Sequence, residues 1–125
     1  MSKENHRLFI KKSKTAYKKI ECIECPAFVG EKIYFNKIGF NHLLWKGKKM
    51  RKPEEQIRRI NLISKALEIL ESSKHFDEYR ESKIRSSNST STAYFWSFVL
   101  KNKKGRIIVV IRQTNNGNKH FMSVI

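Results

Sequence analysis

Apolar residues repeat at helical spacing in one stretch of the chain and at strand spacing in others, and these patterns organise the rest. From Pro53 to about Ser72, the residues Ile57, Ile60, Ile63, Leu67 and Leu70 recur three or four apart, which predicts one amphipathic helix. Pro53 suits a first helical position, and Glu54 and Glu55 complement the positive end of the helix. Tyr94, Trp96 and Phe98 alternate with smaller residues up to Leu100, which predicts a strand. Arg106 to Arg112 is apolar on both faces and reads as a central strand. Asn102–Gly105 reads as a turn, Thr114–Asn118 as a hairpin loop, and Lys119 to Ile125 as a closing strand.

Upstream, the patterns are shorter. Lys32 to Phe35 reads as a short strand turning at Asn36-Lys37 into a short helix. That helix is expected to carry His42 and, four residues on, Lys46 on one face. Residues 1–19 read as a basic arm, either a mobile tail, which is favoured, or a segment anchored by Leu8, Phe9 and Ile10 or partly helical, and residues 20–30 as a connector. Residues 73–92 are polar, and Asn88 to Thr92 is expected to be a mobile loop. The expected fold is α+β: N-terminal helices packed on a small antiparallel sheet of about four strands, three of them a meander and the strand at Ile33 added at an edge. The expected division is an arm and connector over 1–28 and a folded domain over 29–125.

Composition adds the partner. The 125 residues carry 27 Lys and Arg against 11 Asp and Glu, a formal charge of +16. Hydrophobic and aromatic contents of 39% and 11% fit a folded domain rather than a disordered chain. Such a charge points to a polyanion, nucleic acid first. No apolar run approaches the ~20 residues of a membrane span, and the basic first residues do not resemble a secretory signal. A cytoplasmic protein without membrane contact is expected. Cys22 and Cys25 form a Cys-Ile-Glu-Cys pair that reads as plain reduced thiols, as half of a shared metal site, or as a redox couple.

Acids are few and do not pair at a strand end, so a carboxylate site for magnesium is not expected, nor is any metal or cofactor. Metal-free RNA cleavage needs a base for the 2′-hydroxyl proton and cations for the phosphorane charge. His42 is the leading candidate for base or acid, with Lys46 as its electrostatic partner. Lys48, Lys49, Arg51, Lys52, Arg58, Arg59 and Lys119 are candidate phosphate contacts. On the C-terminal hairpin the register decides. A two-residue Asn116-Gly117 turn sets Arg112 opposite Phe121, with Arg112, Lys119 and Ser123 on one face and His120 on the other. A three-residue turn sets Arg112 opposite His120. The first is favoured by the Asn-Gly pair, leaving His120 as a reserve catalyst.

The stretches Val29–Asn36, Gly39–Leu44, Ile108–Gln113 and Lys119–Ile125 together resemble the phage-associated nuclease domains grouped with barnase, EndoU, the tRNA-cleaving colicins and RelE. The resemblance spans roughly residues 29–125 and implies a metal-independent ribonuclease fold, acting on tRNA or other RNA as a toxin or phage effector. It places His42, Lys46, Arg112 and Ser123 at the family's site positions, and an acidic antitoxin or immunity protein would be a fitting partner. A noncatalytic nucleic-acid-binding module, with bases stacking on Tyr94, Trp96 or Phe98, and a protein-interaction domain with an acidic partner are the other readings of the same charge.

Overall fold

The computed structural model describes residues 2–125. The chain begins with a helix, not a tail: α1 spans Lys3–Lys18, and the Ser2 hydroxyl caps it by accepting from the Asn5 N–H at 3.1 Å. Its Tyr17 is 3% exposed, packs among Phe35, Phe40 and Phe121, and donates its hydroxyl to the Asn36 carbonyl at 2.8 Å. The favoured mobile tail is therefore overturned in favour of the helical alternative: Tyr17, with Phe9 and Ile10 packed against the core and His6 bonded to Gln56 at 2.7 Å, holds a largely polar helix in place. Cys25 and Phe28 from the connector join that same core.

Two short strands follow, β1 (Cys22–Glu24) and β2 (Lys32–Tyr34). Next come helix α2 (Lys37–Leu44), a two-stranded ribbon of β3 (Trp45–Lys46) and β4 (Lys49–Met50), and helices α3 (Pro53–Asn61) and α4 (Ile63–Ser72). The expected single helix over 53–72 breaks at Leu62. The Leu62 N–H bonds to Arg59 O at 3.1 Å in a tightened last turn, and the Ala66 N–H to Leu62 O at 2.9 Å starts the next helix. The break turns Ile60 on α3, and Ala66, Ile69 and Leu70 on α4, into the core.

The remaining strands are β5 (Glu78–Ser86), β6 (Ser89–Asn102), β7 (Gly105–Thr114) and β8 (Lys119–Val124). The main sheet is six-stranded and mixed, in the order β1-β2-β8-β7-β6-β5, with β2 parallel to β8 and all other pairs antiparallel. This overturns the expectation of an antiparallel sheet of about four strands. The polar stretch 73–92 holds β5 and the start of β6, joined at Ser87-Asn88, and of the expected mobile loop Asn88 to Thr92 all but Asn88 lies in β6. Beyond Ala93, where β7 ends, this hairpin pairs only with itself, so both its faces meet solvent and no apolar alternation is needed.

One sheet face carries the core: Ile33, Phe98, Val109, Ile111, Phe121 and Val124 are each at most 1% exposed. Helix α2 packs along β8. Gly39 makes this possible, because a Cβ there would lie 2.5 Å from Phe121 O and 2.6 Å from the Tyr17 hydroxyl. No helix among the described residues is long and apolar enough to cross a membrane.

Candidate functional site

The β7–β8 hairpin is the first half of the site, and it combines the two alternative registers. Near the turn Ile111 faces Phe121 and Arg112 faces His120; further on, Val110 faces Ser123 and Val109 faces Val124. Met122 is the extra residue of a β-bulge between them. The favoured register, with Arg112 opposite Phe121, is therefore corrected close to the turn. The bulge places His120 and Ser123 on the same face as Arg112, although their spacing in a regular strand would separate them. Lys119 falls on the core face.

Arg112 Nε lies 3.1 Å from His120 Nε2. A guanidinium N–H only donates, so His120 accepts at Nε2 and carries its proton on Nδ1, which donates to Phe121 O at 3.2 Å. His120 is thus a neutral ring with both nitrogens engaged. Burial lowers its pKa most; Arg112 and His42 lower it further, against the Phe121 carbonyl. The terminal nitrogens of Arg112 have no hydrogen-bond partner among the described residues.

The second half comes from α2 and the segments C-terminal to it. His42 sits in the last turn of α2, half-buried, and its ring makes no hydrogen bond among the described residues. Burial lowers its pKa, and the charges of Arg112, Arg51 and Arg59 lower it further. Arg51 Nε donates to the His42 carbonyl at 3.0 Å, which fixes that guanidinium beside the imidazole. Arg59, only 8% exposed, bonds to Glu55 at 2.8 Å and reaches Val124 O at 3.4 Å, tying α3 to β8. Gln56, also buried, donates to Leu44 O at 3.1 Å and so clamps the end of α2. The charges of Arg51, Arg59 and Arg112, from the segment after β4, α3 and β7, thus act on His42 of α2, and His120 of β8 feels both Arg112 and His42.

Other candidates fall elsewhere. Helix α2 ends at Leu44, so Lys46 is not on its face with His42; it lies on β3, opposite Lys49. Lys48, Lys49 and Lys52 are exposed on or beside the ribbon. Arg58 is exposed and pairs with Glu55 at 2.6 Å, which with Arg59 holds that carboxyl down at about 2. Lys119 is 8% exposed; its ammonium bonds both Glu31 oxygens at 2.9 and 2.8 Å and sits over the Phe28 and Trp96 rings. That cation is spent inside the fold. Trp96 is committed to the same packing. Cys22 and Cys25 are free thiols, Cys25 buried with its pKa raised by that burial. Among the described residues no three His, Cys, Asp or Glu side chains gather into a metal-holding group. Gln56 and Trp45 were not singled out by the sequence; an exposed tryptophan in a run of lysines was the available signal for the second. Compared with protein-family models, curated proteins and solved structures, the chain matches none.

Proposed function

We propose that the chain is a metal-independent endoribonuclease. The observation that carries this reading is the half-buried ring of His42, without a hydrogen bond among the described residues, with Arg51 bonded to its carbonyl and the charges of Arg112, Arg51 and Arg59 acting on it. Burial lowers the pKa of that imidazole, and the charges of Arg112, Arg51 and Arg59 lower it further, which favours the neutral form a general base needs. The free terminal nitrogens of Arg112 and Arg51 suit a phosphate and the extra charge of a pentacoordinate phosphorane. In this scheme His42 takes the 2′-hydroxyl proton, the 2′-oxygen attacks phosphorus, and the bond to the 5′-oxygen breaks. The leaving oxygen is protonated from solvent, because His120 Nε2 is already occupied by Arg112. His120 is then a positioning residue that aims the Arg112 guanidinium. The products are a 2′,3′-cyclic phosphate and a 5′-hydroxyl.

Glu55 is held by two arginines and Glu31 by Lys119, so these two carboxylates are already engaged within the fold. The resemblance to the barnase, EndoU, colicin and RelE group supports the same reaction, with tRNA among the targets and an acidic antitoxin or immunity protein as a natural partner. Incubation of the purified protein with tRNA and mRNA in excess EDTA tests the reading. Discrete fragments with cyclic-phosphate ends are expected, with a loss of about 10²–10⁴-fold in His42→Ala. Intact RNA with a salt-sensitive mobility shift would instead mean a noncatalytic binding module.

A further inference from the structure

The side of α2 that carries His42 opens onto a pocket of about 210 Å³ lined by Ile38, Asn41, His42, Trp45 and Gly47. It is too small for a protein partner and wide enough for one planar ring. Trp45 is 38% exposed, and no ring or cation stacks on it among the described residues; the packed tryptophan of this fold is Trp96. Leaving a large indole half in water forfeits burial, so its position calls for an occupant. Asn41, exposed on the pocket wall, carries an amide with no hydrogen bond among the described residues, its NH₂ donor and carbonyl acceptor side by side.

The charge around the pocket specifies the occupant. Trp45 pairs with Met50 at the base of the ribbon, and beyond them Lys46 faces Lys49 directly, with Lys48 in the turn. Like charges opposite one another destabilise a strand pair, and a ribbon of two residues per strand has little to offset them. A polyanion lying along the ribbon removes that repulsion. Gly47, with φ of 63°, forms the turn and leaves the pocket mouth clear, with nothing within 4 Å of where a Cβ would stand.

We infer that this pocket is a base-binding subsite that takes one unpaired nucleobase, stacked on Trp45 and hydrogen-bonded by Asn41, while the ribbon lysines hold the adjoining phosphates. Sharing His42 with the reaction site, the pocket would fix which phosphodiester meets the imidazole and restrict the substrate to single-stranded RNA. This rests on the endoribonuclease reading for its biological substrate, but binding itself does not require cleavage. A base inside a duplex has its faces covered by its neighbours and cannot enter.

The test uses single-stranded DNA, which lacks the 2′-hydroxyl and cannot be cut by this route, alongside the duplex of the same sequence. Single-stranded binding is expected to quench indole fluorescence, and the quenching is expected to disappear in Trp45→Phe, which retains only Trp96. Trp45→Ala is expected to weaken single-strand binding about 5- to 150-fold, the range for one base–aromatic stack, with duplex binding unchanged. Quenching that persists in Trp45→Phe, or equal loss on single strands and duplex, would overturn the subsite. RNA left intact while the single-strand effects hold would sink the nuclease reading and spare the subsite.

Discussion

Gly39→Ala probes the contact on which the site depends. In an open helix this substitution stabilises, by about 1 kcal/mol, because alanine loses less backbone freedom. Here the added methyl carbon would stand 2.5 Å from Phe121 O, 2.6 Å from a Phe121 ring carbon and 2.6 Å from the Tyr17 hydroxyl. The first is backbone in a paired strand, and the third is the donor that holds Asn36 O, so neither yields cheaply. Overpacking of this kind costs about 1–3 kcal/mol, and three contacts this close place it at the upper end. Subtracting the helix gain leaves a net loss of about 2 kcal/mol, or roughly 5–10 °C in Tm for a domain of this size. Urea denaturation and thermal melts measure it, with Lys37→Ala on the exposed start of α2 as a control expected within about 0.5 kcal/mol of the parent. A Gly39→Ala protein as stable as the parent would refute the close seating of α2 on β8. The approach of His42 to Arg112 would lose its support with it.

Three further outcomes rest on the charges. Cleavage is expected to rise with pH as His42 loses its proton, with the midpoint below the usual histidine value; Arg51→Gln removes a lowering charge and should move that limb to higher pH, read from a pH–rate profile. Lys119→Met should leave the salt dependence of RNA binding unchanged, because that ammonium is engaged with Glu31; a slope smaller by about one ion would show it contacting phosphate. Glu55, whose folded pKa near 2 lies below its unfolded value, contributes stability that is present above about pH 4.5 and is lost as pH falls through 2. Glu55→Gln should therefore melt below the parent at neutral pH and converge with it near pH 2.

What could be seen in the sequence was what local periodicity dictates. The strands at Tyr94–Leu100 and Arg106–Arg112 have core faces, and the helical stretch after Pro53 has a strong apolar stripe, so each declares itself within one window of residues. Strand β5 does not, because Tyr79 and Ile84 are both exposed and the strand needs no apolar face. The parallel pairing of β2 with β8 joins Ile33 to Lys119, and no short-range signal encodes a contact across that separation. Helix α1 was obscured by its charges: Tyr17 supplies its one buried side chain, and Phe9 and Ile10, only partly buried, are too few among the lysines to mark a docked helix. The displacement of Lys46 was legible in principle, since Lys46-Gly47-Lys48 carries a turn glycine that marks the β3–β4 turn rather than more helix.

The site was harder to read for a different reason. His42, Arg51, Arg59, Arg112 and His120 could each be named as candidates from their own segments, but which of them act on one another depends on the packing of α2 and α3 against β8. The hairpin shows how one local irregularity changes the chemistry available. In a regular strand, His120 and Ser123 point to opposite faces, and any register offers Arg112 one of them. The extra residue at Met122 reverses the alternation, so Arg112 has the imidazole beside it and the hydroxyl on its own face. An uninterrupted ladder would either leave Arg112 Nε without an acceptor or turn Ser123 into the core. The bulge resolves that conflict while Phe121 and Val124 both stay buried, at 0% exposure. The core demands apolar residues at 121 and 124, three apart, which no regular strand can place on one face. Satisfying the core therefore creates the bulge, and the bulge gathers the polar residues on the other side.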